Sequence, residues 1–204
     1  MAPTYKLTYF QTKGVAEPIR FLLSYGEIDF EDCRIDRKDW PELKEQTLFG
    51  QLPILEIDGK RVNQSIAICK YLARQVNLNG GDDWEDLQID SIVHTIDDFK
   101  GRILMYHLEN DEEVKEKRKD VLYKETIPYY MGRFEDIVLA NSGHFVAEKL
   151  TWADLYFVGV LDLLNSMAKK ELIEDYPNLK QLQYRVENLP AIKNWIKKQP
   201  TTVL

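Results

Sequence analysis

Cysteine is scarce in this chain, and that scarcity is the first constraint on it. Of 204 residues only Cys33 and Cys69 are cysteines, with no CxxC pair and no zinc-ligand spacing. A disulfide framework is therefore not the expected scaffold, and a reducing compartment, the cytoplasm, is. The three histidines, His94, His107 and His144, are dispersed without ligand spacing, so no metal is expected. Long apolar runs are missing too. The longest, Leu155 to Leu161, falls far short of the roughly 20 residues of a membrane span, so no membrane partner is expected. The opening MAPTYKLTYF holds neither a long apolar stretch nor a small-residue cleavage site, so no secretory signal is read there. Basic excess is absent: a net charge of −7 argues against a nucleic-acid partner, which needs a cationic face. There is no GxGxxG or phosphate loop and no G-x-S-x-G nucleophile elbow.

What is present divides into two parts with different periodicity. YKLTYF (Tyr5–Phe10) alternates as a strand does. Pro18 to Tyr25 has the pattern of a helix, with Pro near its start and Gly26 as its stop. FEDCRI (Phe30–Ile35) is a second predicted strand, Trp40–Gln46 a short helix, and Pro53–Ile57 a third strand. Asp58-Gly59 is a hairpin turn leading into Lys60–Val62, and Ser65 is placed to cap a helix running to about Gln75. The order β-α-β-α-β-β-α describes an α/β domain over residues 1–76.

NLNGGDD, residues 77–83, has the composition of a linker. From 84 to 204 the spacing is helical throughout. One long helix is predicted over Trp84–Leu108, and a second over Glu112–Asn141 with a bend near Pro128. Thr151-Trp-Ala-Asp154 is a capping box in its Asp form, opening an apolar helix to Met167. Two shorter helices, near Pro177–Asn188 and Pro190–Lys198, complete an all-helical domain.

Several residues stand out chemically. Tyr9 lies at the carboxyl end of the first strand, where ligands collect in open α/β sheets, and its phenol can donate a hydrogen bond to an anion. Trp40 and Lys44, four apart on one helix, together offer an indole N–H and a positive charge, which suits a carboxylate. Gln64 and Ser65 add an amide, a hydroxyl and the N–H groups of a helix start, a second anion site. Between the two, Pro53 ends strand pairing and leaves Leu52 with unpaired backbone groups. The sum is a slot with an anion site at each end and a phenol beside it, a shape for a short anionic peptide carrying a thiol. Asp97-Asp98 is the one close carboxylate pair flanked by apolar residues.

YKLTYF, the W-P-x-x-K segment, FGQLPILEIDG, NQSIAI and LTWADLYF resemble the cytosolic glutathione transferases. The nearest likeness is to the sigma class, with its insect enzymes and haematopoietic-type prostaglandin D synthases. The resemblance implies a thioredoxin-like N-terminal domain, an all-α C-terminal domain and a homodimer using glutathione as co-substrate. By position, Tyr9 would donate its hydroxyl to the glutathione sulfur. Trp40 and Lys44 would face the glycyl carboxylate, with Gln51 lining that end. Leu52 would pair with the cysteinyl unit beside a cis-Pro53, and Gln64 and Ser65 would hold the γ-glutamyl carboxylate. Asp98 would reach the neighbouring subunit's glutathione, while Phe49 is assigned to core packing ahead of that interface. Phe10, Val15, Met105, Tyr106, Val160 and Leu204 would line the electrophile pocket.

The sequence departs from the pattern at three places. Val15 stands where the family often has Arg, which removes a cation from beside the thiolate. His94 replaces an Asp of the synthases, which weakens an interface metal cluster, and Met105 replaces their Trp. The activity implied is conjugation of glutathione to soft electrophiles such as lipid-peroxidation alkenals, with hydroperoxide reduction as a side reaction. The alternatives are prostaglandin D isomerisation and a non-catalytic, crystallin-like role.

Overall fold

The computed structural model describes residues 3–200, so Leu204, assigned to the electrophile pocket, lies outside the described residues. Strand β1 (Tyr5–Phe10) leads through a 3-10 turn at Gly14–Ala16 into α1 (Glu17–Tyr25), followed by β2 (Phe30–Ile35) and α2 (Trp40–Lys44). The hairpin β3 (Ile54–Ile57) and β4 (Lys60–Asn63) then precedes α3 (Ser65–Gln75). The sheet order is β2-β1-β3-β4, with β1 parallel to β2 and antiparallel to β3. Alternation along β1 sends Tyr5 and Leu7 into the core. Leu55 of β3 joins them there, with Leu22 and Leu23 of α1 and Ile68 and Leu72 of α3.

The helical domain consists of α4 (Asp83–His107), α5 (Glu112–Val121), α6 (Ile127–Ala140), α7 (Trp152–Ala168), α8 (Pro177–Glu187) and α9 (Pro190–Lys198). Helix α7 is its axis, for every residue from Thr151 to Leu161 is buried. Its start carries the capping box: the Asp154 carboxylate, with no exposed surface, accepts from Thr151 N at 2.7 Å and from Phe145 N at 2.9 Å. Gly159 of α7 meets α1 so closely that a Cβ there would lie 2.8 Å from Pro18 N, so the two domains pack directly together.

Two expectations are corrected. The second long helix is not a single helix bent at Pro128. It breaks at a π-helical segment, Leu122–Thr126, where Ile127 N–H donates to Leu122 O, and Pro128 then lies in the first turn of α6. Proline is tolerated in a first turn because its missing N–H would be unpaired there anyway, so the register change is completed before the proline. Phe49 is 75% exposed and takes no part in the core.

Candidate active site

Strand pairing between β1 and β3 stops at Ile54. Leu52 lies beyond it, joined to Pro53 by a cis peptide bond, and none of the described residues pairs with its backbone N–H or C=O. The slot continues at α3. Ser65 is the first helical residue and not the cap; Gln64 holds the cap position with φ +76° and makes no side-chain capping bond. The first N–H groups of α3 are thus left to an incoming acceptor, at the positive end of the helix dipole. Gln51 belongs to this end. Its Oε1 accepts from Gln64 Nε2 at 3.2 Å and from Asn63 Nδ2 at 3.5 Å, while its chain neighbour Gly50 lies against the Lys44 side chain.

At the opposite end, the Lys44 side chain runs over Gly50, where a Cβ would come within 2.9 Å of it. Trp40 is half-buried and meets the Phe10 ring edge-on at 5.6 Å, and the Arg37 guanidinium covers Phe10 at 5.1 Å. Phe10 is therefore held by the region around α2, on the Trp40–Lys44 side of the slot.

Tyr9 is half-buried near the end of β1. Gly14, at φ +49°, presses against it, and the backbone N–H of Val15 faces its hydroxyl. Burial pushes the phenol above its ordinary value, while the Val15 amide and the charges of Arg20 and Arg37 act in the opposite direction without overcoming burial. The hydroxyl therefore keeps its proton at neutral pH and is available as a donor. Val15 contributes its backbone here, and the cations near the phenol come from Arg20 and Arg37.

The β1–α1 loop is tied down on three sides. Arg20 Nη1 donates to the carbonyls of Thr12 at 3.0 Å and Lys13 at 3.2 Å, Gln11 Nε2 bonds Asp36 at 2.6 Å, and Lys13 pairs with Asp162 of α7. Sequence reasoning passed over Arg20, Arg37 and Gly14. The available signal was weak: an arginine inside an apolar helix (PIRFLL), and a glycine after the strand.

The expected electrophile wall is divided. Met105 and Tyr106 of α4 line a cavity of about 310 Å³ between α4 and α5, with Val121 and Leu122 opposite and Arg102 and Arg118 among its cations; Tyr9, Phe10 and Val15 are not among its walls. Val160 has no exposed surface and packs within α7. Of the acidic pair, Asp97 is engaged by Lys100 and by the Tyr156 hydroxyl, whereas Asp98 is exposed. Among the described residues no cluster of three or more His, Cys, Asp or Glu side chains could hold a metal ion, and no helix is long and apolar enough to cross a membrane.

A mixed sheet in the order β2-β1-β3-β4, with a cis-proline immediately before β3, places the first domain in the thioredoxin-like class. Residues 5–74 match the family model for the glutathione S-transferase N-terminal domain, and residues 97–199 that for the C-terminal domain. The chain is 48% identical to a glutathione S-transferase of Anopheles gambiae, over 98% of each chain. It is 38% identical to the human hematopoietic prostaglandin D synthase, over 99% of this chain and all of that one. Among solved structures, the prostaglandin synthase D of Nilaparvata lugens superposes with a TM-score of 0.93 at 44% identity, covering 97% of this chain and 99% of that one. The chain belongs to the glutathione S-transferase family, and is an enzyme with glutathione as co-substrate.

Proposed function

We propose that the chain is a sigma-type, cytoplasmic, homodimeric glutathione transferase that adds the glutathione thiolate to soft electrophiles, alkenals from lipid peroxidation among them, and reduces organic hydroperoxides as a side reaction. The observation that carries this reading is the half-buried Tyr9 phenol, against which Gly14 closes and which the Val15 N–H faces, in a chain that also offers the unpaired Leu52 backbone and the uncapped N-terminus of α3. A peptide carboxylate at each end and the Leu52 backbone in the middle would place the cysteinyl sulfur beside Tyr9.

The chemistry required is a pKa shift. A free thiol near 8.5 is mostly protonated at neutral pH, and the thiolate is the nucleophile. Lowering that value by about two units takes roughly 2.7 kcal/mol of preferential thiolate stabilisation. One hydrogen bond to a charged acceptor supplies about 1.5–3 kcal/mol. Tyr9 acts as that donor and need not be a base. Asp98, exposed on α4, is free to reach a second subunit's glutathione, and the exposed Phe49 side chain suits the same subunit contact.

Prostaglandin isomerisation is the second reading, favoured by the relatives named as prostaglandin D synthases. Met105, in place of the Trp of the synthases, puts it second. A panel of an unsaturated aldehyde, cumene hydroperoxide and prostaglandin H, each with glutathione, ranks the readings. Dominant turnover of the aldehyde supports the proposal, and D-series product at a rivalling rate overturns it. Retention on immobilised glutathione without turnover would point to the crystallin-like role.

A further inference from the structure

The loop that presses on Tyr9 is connected, through buried and part-buried hydrogen bonds, to α9, the last of the described helices. Trp195 of α9 donates its indole N–H to Glu17 Oε1 at 2.9 Å, and Glu17 Oε2 accepts from Arg20 Nη1 at 3.1 Å. The same Arg20 nitrogen donates to Thr12 O and Lys13 O, the two carbonyls immediately before Gly14 and Val15. Arg20 Nε is taken by Asp32 at 3.0 Å, whose other oxygen accepts from Arg34 at 2.7 Å. Arg20 has no exposed surface and Glu17 only 2%.

Stability alone is a poor reason for this arrangement. Two charges removed from water recover their desolvation cost only in part, and an apolar pair of similar volume often does as well. What the charges provide is direction, because a planar guanidinium fixes its acceptors in angle as well as distance. The acceptors fixed here are the carbonyls that set where Gly14 and the Val15 N–H stand against the phenol.

We propose that Trp195, Glu17 and Arg20 form a positioning chain that holds the Thr12–Val15 loop against Tyr9 and so fixes the direction in which Tyr9 offers its hydroxyl to the glutathione sulfur. The inference rests on Tyr9 being the thiolate's hydrogen-bond donor. None of the three chain residues is a catalytic residue; each acts through the next.

Trp195→Phe is the decisive variant. The Trp195 ring packs on Phe30 at 5.5 Å, a contact that Phe keeps while the N–H is lost. The ultraviolet thiolate band of glutathione bound to the dimeric enzyme is titrated for wild type, Trp195→Phe, Arg20→Lys and Tyr9→Phe. Trp195→Phe is expected to raise the bound thiol's pKa by about half a unit, a roughly threefold loss of kcat/KM in mildly acidic buffer that closes as the pH rises above 8, with glutathione affinity kept. Arg20→Lys keeps the charge and loses the fork, and is expected to shift further, about tenfold. If it does not fold, Trp195→Phe decides alone. Wild-type titration in Trp195→Phe beside a raised pKa in Tyr9→Phe overturns the chain and leaves the role of Tyr9 standing. No shift in either variant overturns both.

Discussion

A Cβ placed on Gly14 would lie 2.6 Å from the hydroxyl oxygen of Tyr9 and 2.7 Å from its ring. No side chain fits that gap without moving one of the two, and the Gly14 backbone, at φ +49°, adds strain for any L-residue. Gly14→Ala is therefore expected to displace the phenol while leaving the Leu52 edge and the α3 terminus intact. Displacements of this size cost up to about a hundredfold in rate. The expected result is a fall in kcat of roughly tenfold to a hundredfold, with glutathione affinity changed by less than about threefold, read from steady-state kinetics beside calorimetric binding.

The open N-terminus of α3 supports a separate prediction. With no capping side chain at Gln64, the Ser65 hydroxyl and the first amides of the helix are open to an acceptor, proposed to be the γ-glutamyl carboxylate. Ser65→Ala removes one hydrogen bond to a charged acceptor, worth about 1.5–3 kcal/mol. KM for glutathione should rise about tenfold or more while kcat at saturation stays near wild type, because the contact is made equally in ground and transition states. A kcat loss without a KM rise would place the hydroxyl elsewhere.

Alkaline stability follows from two buried acids. Burial pushes the Cys69 thiol and the Tyr156 phenol well above their ordinary values, and the charge of Asp97 adds to the effect on Tyr156. Both stay protonated in the fold after the unfolded chain has begun to lose those protons, so the native state binds more protons and stability falls with rising pH. The fall should begin near pH 9 with Cys69 and steepen above about 10 with Tyr156, each adding about 1.4 kcal/mol per pH unit beyond its unfolded pKa. Urea unfolding across that range should show the slope, and Cys69→Ala should remove its earlier part.

The elements that sequence periodicity places well are those whose fate is local. β1 and β2 match to the residue, and the Thr151–Asp154 capping box is found as expected, because alternation and capping are set within a few positions. The break at Leu122–Thr126 has no such local mark, and Pro128 attracted attention that belonged one turn earlier. Phe49 looks like core in sequence because it is apolar; only the fold shows that the described residues leave it largely exposed. Slot residues were legible because a proline edge and a helix start are local signals. The groups around Tyr9 were not, since Gly14, Arg20 and Trp195 come together from a loop, α1 and α9, with 178 positions separating Trp195 from Glu17.

The role proposed for Tyr9 is to keep its proton and lend it, as a hydrogen bond, to the glutathione thiolate. The most direct test is the thiol pKa of bound glutathione in Tyr9→Phe, followed by the thiolate absorbance against pH. A pKa raised by about one to two units toward the free-thiol value is expected, with glutathione bound nearly as tightly as before. A thiolate titration and pH–rate profile identical to those of the wild-type enzyme would contradict it.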